Sequence, residues 1–122
     1  MRAIRDIMTT DLVTVDLHAT VAEAANVMGA RGVGSALVID GGTAAGILTE
    51  RDVLRALASD FDAAHHPIAD WMTPDPTTVE ADADVAEALD LMLTRGLRHL
   101  PVTDDGVLVG IVSLRDLSRR PG

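Results

Sequence analysis

A hydroxyl residue followed three positions later by an acid occurs twice in this chain in the same setting: Thr49 and Asp52 in "GILTERD", Ser113 and Asp116 in "GIVSLRD". A strand that ends on the hydroxyl and runs into a helix sets it beside free backbone N–H groups, where the helix dipole favours an anion such as phosphate. The acid, one turn in, can accept two hydrogen bonds from the vicinal hydroxyls of a ribose. Charge-assisted bonds of that kind contribute about 1.5–3 kcal/mol each. Hydroxyl for phosphate and carboxylate for ribose suit a nucleotide. The same spacing also makes an ordinary helix N-cap, and the glycine ahead of it lets a strand pack closely. One copy alone reads as a cap, whereas two copies in register weigh toward a ligand.

The second copy begins 64 residues after the first. With that shift and no gap, residues 4–54 align on 68–118 with 22 identities over 51 pairs, far more than unrelated segments share. Each copy has the same order of elements. "VTV" (Val13–Val15) and "TTV" (Thr77–Val79) are short β-prone pieces. A helix then starts at a capping box, Thr20 with Glu23 or Asp84 with Glu87. Its apolar face is Val21, Ala24, Ala25 and Met28, or Val85, Ala88, Leu89 and Met92, and it stops at Gly32 or Gly96. Strands "SALVID" and "LPVTD" turn at Gly41-Gly42 and at Asp104 to Gly106, and return as "AAGILT" and "VLVGIVS". A last helix follows, "ERDVLRALA" or the shorter "LRDLSRR". The fold class is therefore α/β (α+β): a β-α-β-β-α repeat over residues 1–58, a linker over 59–67 and a second repeat over 68–122. Each half is near the size at which one core becomes marginal, so the two are expected to form one module.

Composition narrows the function classes. The 122 residues are 48% hydrophobic but hold only one Trp, one Phe and no Tyr, so the core rests on Val, Leu, Ile, Ala and Met. Cysteine is absent, which removes disulfides and thiolate chemistry. No apolar run approaches the roughly 18 residues of a membrane span. Met1 to Met8 carries Arg2, Arg5 and Asp6 with no signal-peptide core behind it, so a cytoplasmic protein is expected. A net charge of −9 disfavours nucleic acid as a partner while leaving room for a locally basic pocket. Neither a hydroxyl–histidine–acid set, a phosphate loop nor a metal triad is recognisable, so no catalysis is expected.

The chain resembles a tandem pair of CBS domains. The resemblance rests on "DIMTTDLVTV" and "DWMTPDPTTV" opening the copies, on the repeated Gly–hydrophobic–hydrophobic–hydroxyl–x–x–Asp motif and on "RHLPVTDDGVLVGIVSLRDL". It covers nearly the whole chain and is similar to the small stand-alone CBS-pair proteins of bacteria. It implies adenosine ligands (AMP, ADP, ATP, NAD or S-adenosylmethionine) held between copies, with the motif of one copy sharing a cleft with strand ends of the other. Carried over, a first cleft would use Ile47, Leu48, Thr49, Arg51 and Asp52, with Thr77, Arg98 and His99. A second would use Ile111, Val112, Ser113, Arg115 and Asp116, with Val13, Gly34 and Ser35. Because Arg98-His99 becomes Gly34-Ser35 under the shift, a phosphorylated ligand is expected to prefer the first cleft. The resemblance also implies a regulatory module, a homodimer formed through helices, and an unknown protein effector reached in trans. The competing reading is a dimerisation or interaction scaffold that binds no nucleotide.

Other residues read as structural. His65 and His66 lie in the linker without a third metal ligand in sequence, and His18 has no evident partner. Trp71 is a packing anchor, in the core or at a subunit contact. Met8, Met28, Met72 and Met92 recur as repeat-matched pairs, which points to core filling.

Overall fold

The computed structural model describes residues 2–118. Arg119 and Arg120, the end of the last expected helix, lie outside the described residues.

Both repeats fold as β-α-β-β-α. In the first these are β1 (Thr14–Asp16), α1 (Val21–Arg31), β2 (Ser35–Asp40), β3 (Thr43–Thr49) and α2 (Glu50–Ser59). A short β4 (Thr73–Pro74) follows, and the second repeat supplies β5 (Val79–Glu80), α3 (Val85–Arg95), β6 (His99–Asp104), β7 (Val107–Ser113) and α4 (Leu114–Ser118). β1 is parallel to β2 and β2 antiparallel to β3, and β5, β6 and β7 repeat that pattern. Both hairpins carry an irregularity at the same place, Val38/Ile39 and Val102/Thr103. Their two-residue loops need positive φ at both positions, which Gly41-Gly42 and Asp105-Gly106 supply.

The helix ends follow the sequence signals with one exception. Thr20 and Glu23 exchange side-chain and backbone bonds at 3.1 Å. Asp84 instead caps α3 by accepting from the Ala86 N–H at 3.1 Å, without the expected exchange with Glu87. Two carboxylates drawn to one helix end repel, whereas a hydroxyl and a carboxylate do not. Gly32 and Gly96 close α1 and α3 in the left-handed region, at φ 65° and 67°.

The compact units are offset from the sequence repeats. One unit is Val13–Pro76; the other joins Met1–Leu12 to Thr77–Gly122. The opening segment of each repeat thus completes the unit built from the other repeat's strands. In the first unit β4 pairs with β3 through Ile47 and Thr73, and Met72 packs against a core that includes Val21, Met28, Val38, Leu48 and Ile68. In the second, Thr9 pairs with Ile111, and Ile4 and Met8 join Met92, Leu100, Val102 and Val112. Segment 59–67, read as a linker, is folded into the first unit. It forms a 3₁₀ turn at Ala63–His65, buries Ala63, and offers the His66 carbonyl to the Val21 N–H at 2.9 Å. Its apolar Ala63-Ala64 step is what distinguishes it from a solvated string. Trp71 packs against the first core, partly buried.

These crossings explain the glycine of the repeated motif. A Cβ on Gly46 would stand 2.7 Å from the Thr73 carbonyl oxygen and 2.6 Å from Met72 Sδ. On Gly110 it would stand 3.0 Å from the Thr9 oxygen and 2.7 Å from Met8 Sδ. A methionine can swing aside, but a strand-paired carbonyl cannot. Gly46→Ala is therefore expected to lose about 2–3 kcal/mol, and Gly110→Ala measurably less. Urea unfolding of the two variants checks the order.

Candidate functional site

β3 and β7 run from the crowded glycine to the hydroxyl at the strand end, so both motifs are delivered by the same construction. Thr49 lies opposite Ser35 on β2, and Ser113 lies opposite His99 on β6. The next amide reaches back across the hairpin, Glu50 N–H to the Gly34 carbonyl at 2.9 Å and Leu114 N–H to that of Arg98 at 2.7 Å. Candidate residues therefore gather by unit. Val13, Gly34, Ser35, Ile47, Leu48, Thr49, Arg51 and Asp52 belong to one; Thr77, Arg98, His99, Ile111, Val112, Ser113, Arg115 and Asp116 belong to the other. Leu48 and Val112 are core residues without solvent exposure, while Ile47 and Ile111 are half-buried beside the incoming opening segments.

Each hydroxyl–acid pair is a closed capping box. The Thr49 N–H donates to Asp52 Oδ2 at 2.9 Å, and the Asp52 N–H to Thr49 Oγ1 at 3.2 Å. Ser113 N–H to Asp116 Oδ2 and Asp116 N–H to Ser113 Oγ are 3.2 and 3.1 Å. The cap and ligand readings coexist, since the cap engages one carboxylate oxygen and leaves the other to be used. In Asp52, only 7% exposed, that second oxygen takes the Arg55 guanidinium at 3.0 Å. Arg55 was not singled out in the sequence, although its place three residues after Asp52 on one helix face was readable. Its counterpart under the 64-residue shift, Arg119, lies outside the described residues.

The surroundings of the two boxes differ more than Arg98-His99 alone indicates. Arg98, His99, Ser113, Leu114 and Arg115 line one open groove of about 430 Å³. The corresponding positions beside Thr49 are Gly34, Ser35, Glu50 and Arg51, and the Glu50 carboxyl sits 3.5 Å from where a Gly34 side chain would begin. Arginine for glycine and leucine for glutamate each make the Ser113 groove more positive by one charge. The second exchange was not noticed in the sequence, where Leu114 and Glu50 pass as variable motif positions. Within its unit, then, the basic pair stands with Ser113, Arg115 and Asp116; Thr49 and Asp52, with which the resemblance grouped it, are in the other unit.

His99 is half-buried, and that desolvation pushes its pKa below the usual 6.5; Asp116 opposes the shift and Arg98 adds to it. His65 is exposed, and His66 is half-buried with Nε2 3.6 Å from Asp60 Oδ2. Among the described residues no group of three His, Asp or Glu side chains is placed to hold a metal ion, and no helix is long and apolar enough to cross a membrane. His99 gives a pH prediction for the fold. The unfolded chain takes up a proton near 6.5 that the native imidazole resists, so stability falls as pH drops below that value. Urea unfolding at pH 7.5 and 5.5 should show a smaller loss for His99→Gln than for the unaltered protein.

The model of the CBS domain family matches the chain twice, over residues 4–59 and 68–121. A 17.7 kDa protein of Acidianus ambivalens is 43% identical over 95% of this chain and 71% of its own. The CBS domain-containing protein YhcV of Bacillus subtilis is 35% identical over 97% and 84%. Among solved structures, a CBS domain protein of Pyrobaculum aerophilum complexed with AMP superposes with a TM-score of 0.88 at 28% identity, covering 98% of this chain and 92% of that one. The CBS domain pair of protein MJ0100, complexed with 5-methylthioadenosine and S-adenosyl-L-methionine, gives 0.85 at 27% identity over 96% and 93%. With its motif delivered twice by the same strand and turn, and matched twice by the family, the chain belongs to the CBS-domain family as a tandem pair.

Proposed function

We propose that this CBS pair is a regulatory module that binds an adenosine-containing ligand at its hydroxyl–acid motifs and passes the bound state to a protein partner. One observation carries the reading: the second motif opens into a groove where Arg98, His99, Ser113 and Arg115 converge. A cap needs the hydroxyl and the acid, but it has no use for cations gathered around them. In this reading the ribose diol donates to the Asp116 oxygen that the cap does not use, or to that of Asp52 in the other unit once Arg55 yields. The phosphates lie among Arg98, His99, Ser113 and Arg115. AMP with the Pyrobaculum aerophilum protein, and S-adenosyl-L-methionine with MJ0100, support adenosine as the common chemistry.

Binding without catalysis fits the side chains present. Exposed Leu54 and Leu57 on α2 and Leu93 on α3 suit helix-mediated pairing of two copies, and the net charge of −9 argues against nucleic acid as the partner. The scaffold reading keeps one specific support, because both hydroxyl–acid pairs are mutually satisfied as caps.

Calorimetric titration with AMP, ADP, ATP, NAD and S-adenosylmethionine separates the two readings. Saturable binding is expected, weakened at least about tenfold by Asp116→Asn or Asp52→Asn, the loss of one charge-assisted bond. The variant that loses affinity identifies the motif holding the ribose. Silence from all five ligands with folded protein leaves the scaffold.

A further inference from the structure

We propose that His99 makes the Ser113 groove selective for phosphorylated ligands by taking up a proton when the phosphate enters. The inference rests on the adenosine reading above and names which adenosine ligands the groove accepts. It starts from what faces the imidazole. On its own strand edge is Arg98; opposite on β7 is Ser113, uncharged; from α4 come Arg115 along the groove and Asp116 behind it. β5 pairs with β6 at Val102 and Thr103, at the far end of the strand, and brings no charge to His99.

Without a phosphate beside it, the imidazole is biased toward the neutral form. It is half-buried beside a guanidinium, and Asp116, the carboxylate acting on it among the described residues, is already engaged by the Ser113 amide. A phosphate placed among Arg98, Ser113 and Arg115 reverses that balance. An anion within about 4–6 Å favours the protonated ring, and the ring then donates to a phosphate oxygen with both nitrogens available as donors. The proton comes from solvent, and no bond of the ligand is made or broken. An uncharged nucleoside gives the ring no reason to charge. A sulfonium ligand such as S-adenosylmethionine adds positive charge to a groove that already holds two arginines. The other repeat has no such device, since Ser35 stands at the position equivalent to His99 and Gly34 at that of Arg98.

The test is AMP titration of the unaltered protein and of His99→Gln at pH 7.5 and 5.5, each in two buffers of different ionisation heat. The AMP phosphate itself protonates near pH 6, but equally for both proteins, so their affinity ratio isolates His99. That ratio is expected to shift by roughly three- to tenfold in favour of the unaltered protein at the lower pH, a tenfold change per unit of pKa difference being the limit. Proton uptake should appear in the buffer dependence of the heat and vanish in His99→Gln. 5-Methylthioadenosine should bind more weakly than AMP with no such uptake. The ring resonances of His99, followed by NMR, should titrate at higher pH with AMP present than without it. AMP binding with identical pH dependence in both proteins overturns the inference and leaves the adenosine reading standing. Binding of S-adenosylmethionine in preference to AMP does the same. Absence of binding by every adenosine ligand removes both. Matching thermal melts of the two proteins at pH 7.5 exclude misfolding as the source of any difference.

Discussion

Each motif depends on the passage of an opening segment over the glycine of the strand it pairs with, Met72-Thr73 over Gly46 and Met8-Thr9 over Gly110, where no Cβ fits without displacing its neighbours. It holds β3 at Gly46-Ile47 and β7 at Ile111, and the hydroxyl that caps the next helix follows two or three residues on. The motif glycine is a packing device, and the hydroxyl–acid pair proposed to meet a ligand begins three residues downstream.

Duplication produced two frames, and substitution has made them unlike. The frames agree in register, in the hairpin irregularity, in the αL glycine caps and in the reciprocal hydroxyl–acid bonds. They differ where side chains face solvent at the strand end. Arg98, His99 and Leu114 stand where Gly34, Ser35 and Glu50 stand in the other repeat. None of the six belongs to the fully buried core, although Leu114 packs against its edge. The local charge therefore differs by two units between frames whose buried residues correspond.

Much of this was legible before any coordinates. The 64-residue repeat, the element order, the caps at Thr20 and Gly32 and the paired hydroxyl–acid motifs are local patterns, and local patterns survive in sequence. What escaped was in large part non-local. Periodicity places "DIMT" at the head of a repeat but says nothing about which sheet it joins, because the partner lies more than 70 residues away at Ala83 and Ile111. Arg55 was missed because an exposed helix arginine looks solvated until its carboxylate is seen buried beneath it. In the segment at 59–67 only Ala63 is buried while Phe61, Asp62 and His65 are exposed, and nothing local in the sequence marked which residue packs.

The offset between repeats and units gives the chain an order of assembly. On the ribosome, Val13 to Pro76 is complete as a compact unit once residue 76 has emerged, and its pairings are comparatively local. The opening segment, with Ile4 bound for Ala83 and Thr9 for Ile111, must stay unplaced until those partners, 79 and 102 residues later, have followed. Residues made ahead of the first unit thus find their seat after it. Until the second sheet closes, apolar Ile4 and Met8 are exposed to whatever else is near.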